Sequence, residues 1–65
     1  MTGGTMPERE IYIECTLRGG LLQVAAVDSV TGTEVSVFGP VTAREALIRT
    51  ATAKLRYVLT KLKPE

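Results

Sequence analysis

Length, composition and charge already exclude several classes of protein. The chain has 65 residues and a formal net charge of +1, with one cysteine and no histidine. A single cysteine cannot form an internal disulfide, and without histidine a zinc site lacks a plausible set of ligands. The longest uninterrupted apolar run, residues 24–27, is far too short to span a bilayer. We therefore expect one small domain with no metal, no cofactor and no membrane segment.

The first residues have little to bury. Residues 1–8 combine glycines, threonines and a proline, which predicts a disordered lead-in before a single domain of residues 9–63. Residues 1–5 lack the basic start and apolar core of a secretory signal. A lone thiol without an export signal is typical of a reducing compartment, so we expect a cytoplasmic protein.

The next segment predicts a β-hairpin. Apolar and polar residues alternate over residues 10–18 and again over residues 21–28, with Gly19-Gly20 between them as a two-residue turn. With this turn Cys15 faces Val24, Leu17 faces Leu22 and Ile13 faces Ala26, so these three apolar pairs share one face. A slip of one residue would destroy the match, so the sequence predicts the register as well as the strands.

A third strand follows a second turn. Asp28 can cap the turn through its carboxylate, and Gly32 can take a left-handed conformation, which predicts a four-residue loop over residues 29–32. The strand of residues 33–38 then places Val35 opposite Ala26 and Val37 opposite Val24, on the same apolar face. It stops before Gly39-Pro40.

The last segment predicts a helix. Thr42 and Glu45 have the spacing of a capping box, and Pro64 would end the helix. Seven apolar residues recur at helical spacing and form one stripe: Leu47, Ile48, Ala51, Leu55, Val58, Leu59 and Leu62. The predicted fold class is α+β, a three-stranded antiparallel β-meander packed on one C-terminal α-helix in the order β-β-β-α.

Residues able to support catalysis are scarce. Histidine is absent, and Cys15 lies between apolar neighbours, where a thiol is usually a small buried hydrophobe rather than a nucleophile. Glu14 and Glu34 share a sheet face, but the second strand separates them. We therefore expect no enzymatic activity.

The helix carries most of the positive charge. Residues 1–40 have two basic and five acidic side chains, a net charge of −3, whereas residues 41–65 have six basic and two acidic, a net charge of +4. The basic residues lie on both flanks of the helix and are candidate contacts for a partner or a phosphate: Arg44, Arg49, Lys54, Arg56, Lys61 and Lys63. Two interpretations stay open. These side chains either keep their charged ends in water beside the core, or they meet an acidic protein surface or RNA.

Two resemblances add to this interpretation. Residues 28–36, DSVTGTEVS, and residues 53–59, AKLRYVL, resemble a family of very short uncharacterised bacterial proteins, over roughly residues 9–62. That likeness implies the β-β-β-α fold and no functional site. More weakly, the chain is similar to the C-terminal part of double-stranded-RNA-binding domains, whose last helix begins with lysines that hold phosphates. The resemblance places that role on Arg44 alone.

We expect a small interaction module that forms a homodimer, with RNA binding through the helix as the alternative. The first and third strands are both sheet edges, and neither predicted strand contains a proline that would block pairing. Two copies can pair along an edge, or exchange a strand or the helix through residues 38–42. The residues that we expect at a dimer or partner surface are Tyr12, Val27, Phe38 and Tyr57.

Overall fold

A computed structural model describes residues 10–62, with Leu62 described by its backbone alone. The elements in chain order are β1 (Ile11–Arg18), β2 (Leu21–Asp28), β3 (Glu34–Pro40), a 3-10 turn (Val41–Ala43) and α1 (Arg44–Leu62). The three strands form one antiparallel sheet in the order β1-β2-β3. The predicted α+β fold is therefore confirmed. The predicted lead-in of residues 1–8 lies outside the described residues.

The hairpin of β1 and β2 has the predicted register. Cys15 pairs with Val24, and eight consecutive pairs run along the two strands without a bulge. Gly19 and Gly20 have φ angles of 54° and 88°. Positive φ at both central residues defines a type I′ turn, whose twist matches that of the flanking strands. The turn and the apolar alternation thus select the same pairing.

The second connection is organised by Asp28. Its Oδ2 accepts hydrogen bonds from the Thr31 backbone N–H at 2.8 Å and from the Thr31 hydroxyl at 2.9 Å. Gly32 has a φ of 77°, as predicted, and its N–H donates to the Asp28 carbonyl. The following strand runs from Glu34 to Pro40, two residues beyond its predicted end. The prediction that neither edge strand contains a proline is therefore wrong for β3.

The helix begins differently from the prediction. Thr42 lies inside the 3-10 turn, and the residue that caps this turn is Pro40, which makes no side-chain cap hydrogen bond. Pro40 is extended, with φ −69° and ψ 150°, so the strand continues to Pro40 and the turn begins at Val41; the predicted capping box does not start the helix. α1 then passes close to the sheet at Gly39. A Cβ added there would lie 2.8 Å from Leu47 Cδ2.

The core lies between α1 and the strands β2 and β3. Its buried members are Leu22, Val24, Ala26, Ala51 and Leu55. We expected the helix to cover the whole apolar face, but its main packing is on β2 and β3. On β1, Ile13 is therefore 37% exposed and Leu17 is 67% exposed. Cys15, expected to be buried, is only half-buried at the margin of the core.

Candidate interaction surfaces

The open strand surface consists of Ile13 and Leu17 on the helix side of β1. Their neighbours on β2, Ala26 and Leu22, are buried, so α1 stops covering the sheet between the two strands. An exposed Leu or Ile is common on protein surfaces, but two of them on one unpaired edge strand form a continuous apolar strip. The sequence pattern placed both residues on the apolar face and gave no sign that the helix leaves them open.

The outer sheet face, opposite the helix, has apolar side chains at both ends. Tyr12 and Val27 pair at one end, as predicted, with Tyr12 57% exposed and Val27 half-buried. Phe38 is 54% exposed near the other end, beside Leu21, which the sequence analysis did not single out. Tyr12 and Phe38 are therefore accessible to a partner, but the structure does not bring them together.

A hydrogen bond fixes the hydroxyl group of Tyr12. Its hydroxyl donates to Glu10 Oε1 at 2.8 Å. Glu10 raises the pKa of Tyr12 above its ordinary value of 10.0, mainly through this hydrogen bond and additionally because the carboxylate charge opposes formation of the phenolate. The Glu10 N–H in turn donates to Ser29 Oγ at 3.0 Å. This end of the outer sheet face is thus tied to the loop that follows β2.

The basic helix surface consists of the described basic residues of α1, all of them exposed: Arg44, Arg49, Lys54, Arg56 and Lys61. None of them forms an ion pair with a carboxylate within residues 10–62. Lys61 Nζ lies 5.4 Å from the centre of the Tyr57 ring, which is a cation–π distance. Tyr57, predicted at a partner surface, is exposed and carries this lysine. Lys63, the remaining candidate, lies outside the described residues.

Asp28 has a structural position that the sequence did not reveal. Its carboxylate caps the turn as predicted, and the residue is in addition fully buried at the end of the core face. The pattern contained a signal, because Asp28 continues the run of inward residues Leu22, Val24 and Ala26. Its described contacts are with the backbone and hydroxyl of Thr31, so we assign it to holding the loop.

Two features are absent from the part of the chain that the structure describes. Across residues 10–62, no three side chains of the His, Cys, Asp or Glu type gather to hold a metal ion. In the same range, no helix combines the length and apolarity needed to cross a membrane.

The fold and its surfaces define a small β-β-β-α domain with an uncovered edge strand and a basic helix. The chain belongs to the family described as Domain of unknown function (DUF6898), whose model matches residues 8–62. No curated protein and no solved structure gives a significant match. The family membership supports the expected resemblance to an uncharacterised domain, and it assigns no activity.

Proposed function

We propose that this protein is a non-catalytic cytoplasmic interaction module that works as a homodimer. The observation that carries the proposal is the open strand surface, where Leu17 is 67% exposed on the same sheet face that α1 covers elsewhere. A domain of this size buries only about 60% of its unfolded surface, so leaving part of the apolar face in water is costly. A second copy of the chain placed beside β1 would bury part of it.

Charge distribution supports the same proposal. The strand half of the chain has a net charge of −3 and the helix half a net charge of +4. Two copies can therefore attract each other at long range when the acidic half of one approaches the basic half of the other, and salt would weaken that attraction, whereas a contact between the two strand halves does not draw on it. The absence of histidine, together with the small number of candidate catalytic groups, supports a binding role rather than an enzymatic one.

Sedimentation equilibrium at micromolar concentration tests the homodimer. We expect a mass of twice the 7.0 kDa of one chain. Leu17→Gln should shift the protein toward the monomer because it places a polar group on the open strand surface. Leu21→Gln is the matched control, since Leu21 is 48% exposed on the opposite sheet face and should leave the mass unchanged. A wild-type chain that stays monomeric would contradict the proposal.

RNA binding through the basic helix surface is the second candidate. Five exposed basic side chains on one helix, unpaired with described carboxylates, are the observation that favours it. Arg49→Ala combined with Arg56→Ala should weaken binding to RNA, and the affinity should fall steeply as salt rises. Arg18→Ala, a basic residue on β1, is the control. Fluorescence anisotropy with labelled duplex RNA checks this, and no binding by the wild-type chain at low salt eliminates the candidate.

A further inference from the structure

The unpaired hydrogen-bonding groups of β1 belong to its apolar residues. The Ser29 N–H donates to the Glu10 carbonyl, so the even-numbered residues of β1 point their backbone groups at β2. The type I′ turn requires the same pattern, because it closes with a bond between Arg18 and Leu21. The N–H and C=O groups of the odd-numbered residues therefore point away from β2, at the free edge of the sheet: Ile11, Ile13, Cys15 and Leu17.

The other edge is protected. The Asp28 N–H donates to the Thr33 carbonyl, so the odd-numbered residues of the third strand face β2 and its even-numbered residues face outward. Those outward residues include the charged Glu34 and also Pro40, which has no N–H to donate. The helix also packs on β3. Of the two edges, β1 alone combines a full set of outward groups with an open apolar strip.

We infer that two copies of the chain join β1 to β1 in antiparallel fashion, with Cys15 on the two-fold axis. This inference rests on the proposed homodimer and names its surface. In this register Cys15 lies opposite its own copy, and Ile13 lies opposite Leu17 of the other copy. The outward N–H and C=O groups of one β1 strand then meet those of the other. The two-fold axis is perpendicular to the sheet, so both helices lie on the same face of a six-stranded sheet. On that face the two open strand surfaces become neighbours.

Charge excludes one neighbouring register, and the length of the ladder excludes the other. With Cys15 on the axis, Glu14 lies opposite Thr16 of the other copy. Arg18 lies opposite Tyr12 of the other copy and is diagonal to that copy's Glu14 and Glu10. Moving the axis to Glu14 would place two glutamates directly opposite each other, which is destabilising. Moving it to Thr16 would place Glu14 opposite Arg18, which is favourable, but it would pair Ile13 with the turn and shorten the ladder. The Cys15 register keeps most of the strand paired and opposes no like charges.

The single native cysteine makes the register measurable. Residues directly opposite in a hydrogen-bonded antiparallel pair have Cα atoms about 5.5 Å apart, within the range of a disulfide, and their Cβ atoms close by about 1 Å when the bond forms. In the proposed register, residue 13 and its own copy are offset by four residues, about 13 Å along the strand, and the same holds for residue 17. Cα atoms more than about 7 Å apart cannot be bridged without backbone movement.

The experiment is oxidation of the dimer with copper phenanthroline, which takes two electrons and two protons from a pair of thiols. The wild-type chain, with Cys15, should form a cross-linked dimer. Ile13→Cys and Leu17→Cys, each in a Cys15→Ser background, should not. The variant that carries both Ile13→Cys and Leu17→Cys in that background should form the cross-link again, because residue 13 of one copy faces residue 17 of the other. Oxidation of the wild-type chain in guanidinium gives the background of random collisions.

The outcomes separate the inference from the proposed homodimer. The register is supported if the protein sediments as a dimer and both the wild-type chain, through Cys15, and the double variant form the cross-link. A cross-link at Ile13→Cys or Leu17→Cys alone overturns it in favour of another register on β1. A dimer that forms no cross-link in any variant above the guanidinium background overturns the β1 interface and leaves homodimerisation standing. A monomer by sedimentation overturns both.

Discussion

The close approach of α1 to the sheet at Gly39 leads to a quantitative prediction. Replacing Gly39 with alanine would put a methyl group 2.8 Å from Leu47 Cδ2 and 3.1 Å from Cδ1. Leu47 is half-buried and packs against the core, so moving its terminal methyl groups disturbs those contacts. Crowding of this kind costs about 1–3 kcal/mol, and the lower entropy of the unfolded alanine chain offsets about 0.4–1 kcal/mol. We expect Gly39→Ala to lower the free energy of unfolding by about 1 kcal/mol.

Thermal unfolding followed by circular dichroism measures this effect. In a domain of this size a loss of about 1 kcal/mol lowers the melting temperature by roughly 4–8 °C. Protein concentration is held fixed, because association would itself shift the melting temperature. Leu47→Ala removes the crowded atoms, so in that background Gly39→Ala should cost nothing or stabilise. An equal loss in both backgrounds, or no loss in the wild-type background, would refute the steric reasoning.

Three further predictions concern the turns and the outer sheet face. Asp28→Ala should lower the free energy of unfolding by about 2 kcal/mol, because a buried carboxylate that accepts two hydrogen bonds from Thr31 is lost; Asp28→Asn should cost less in the same urea titration. Gly20→Ala, at a φ of 88°, should cost about 1–2 kcal/mol in thermal unfolding, whereas Gly19→Asn should be nearly neutral, since a type I′ turn accepts Asn-Gly. Tyr12 should titrate above pH 10.0 by ultraviolet absorbance, and Glu10→Gln should lower its pKa. Since folding raises the pKa of Tyr12, the stabilisation from its hydrogen bond to Glu10 is complete below pH 10.0. It is lost as the pH rises through the pKa that Tyr12 has in the folded protein.

The register of the sheet could be predicted from the sequence because two independent signals agree. The Gly19-Gly20 turn admits one pairing of its flanking strands, and the alternation of apolar residues selects the same pairing. The four-residue loop after Asp28 was predictable for the same reason. Local chemistry and side-chain periodicity are both visible in a single chain.

The position of the helix over the sheet was not predictable in this way. Its apolar stripe shows which side of α1 faces the sheet but not which strands lie under it. That position depends on the 3-10 turn, which carries the chain from β3 directly onto the adjacent core face. The capping-box pattern of Thr42 and Glu45 did not mark the start of α1, because Thr42 lies inside the 3-10 turn that directly follows Pro40. The open strand surface, and with it the candidate interface, follows from this placement.

The alternation of backbone groups along β1 divides its amides into two populations. The N–H groups of Tyr12, Glu14 and Thr16 face β2, whereas those of Ile13 and Cys15 face whatever lies beyond the edge. In water the second set exchanges its hydrogens for deuterium quickly, and a bound strand slows that exchange while leaving the first set unchanged. Alternate residues of one strand therefore act as an internal reference for their neighbours. Amide exchange in the unmodified chain thus reports the occupancy of this edge residue by residue.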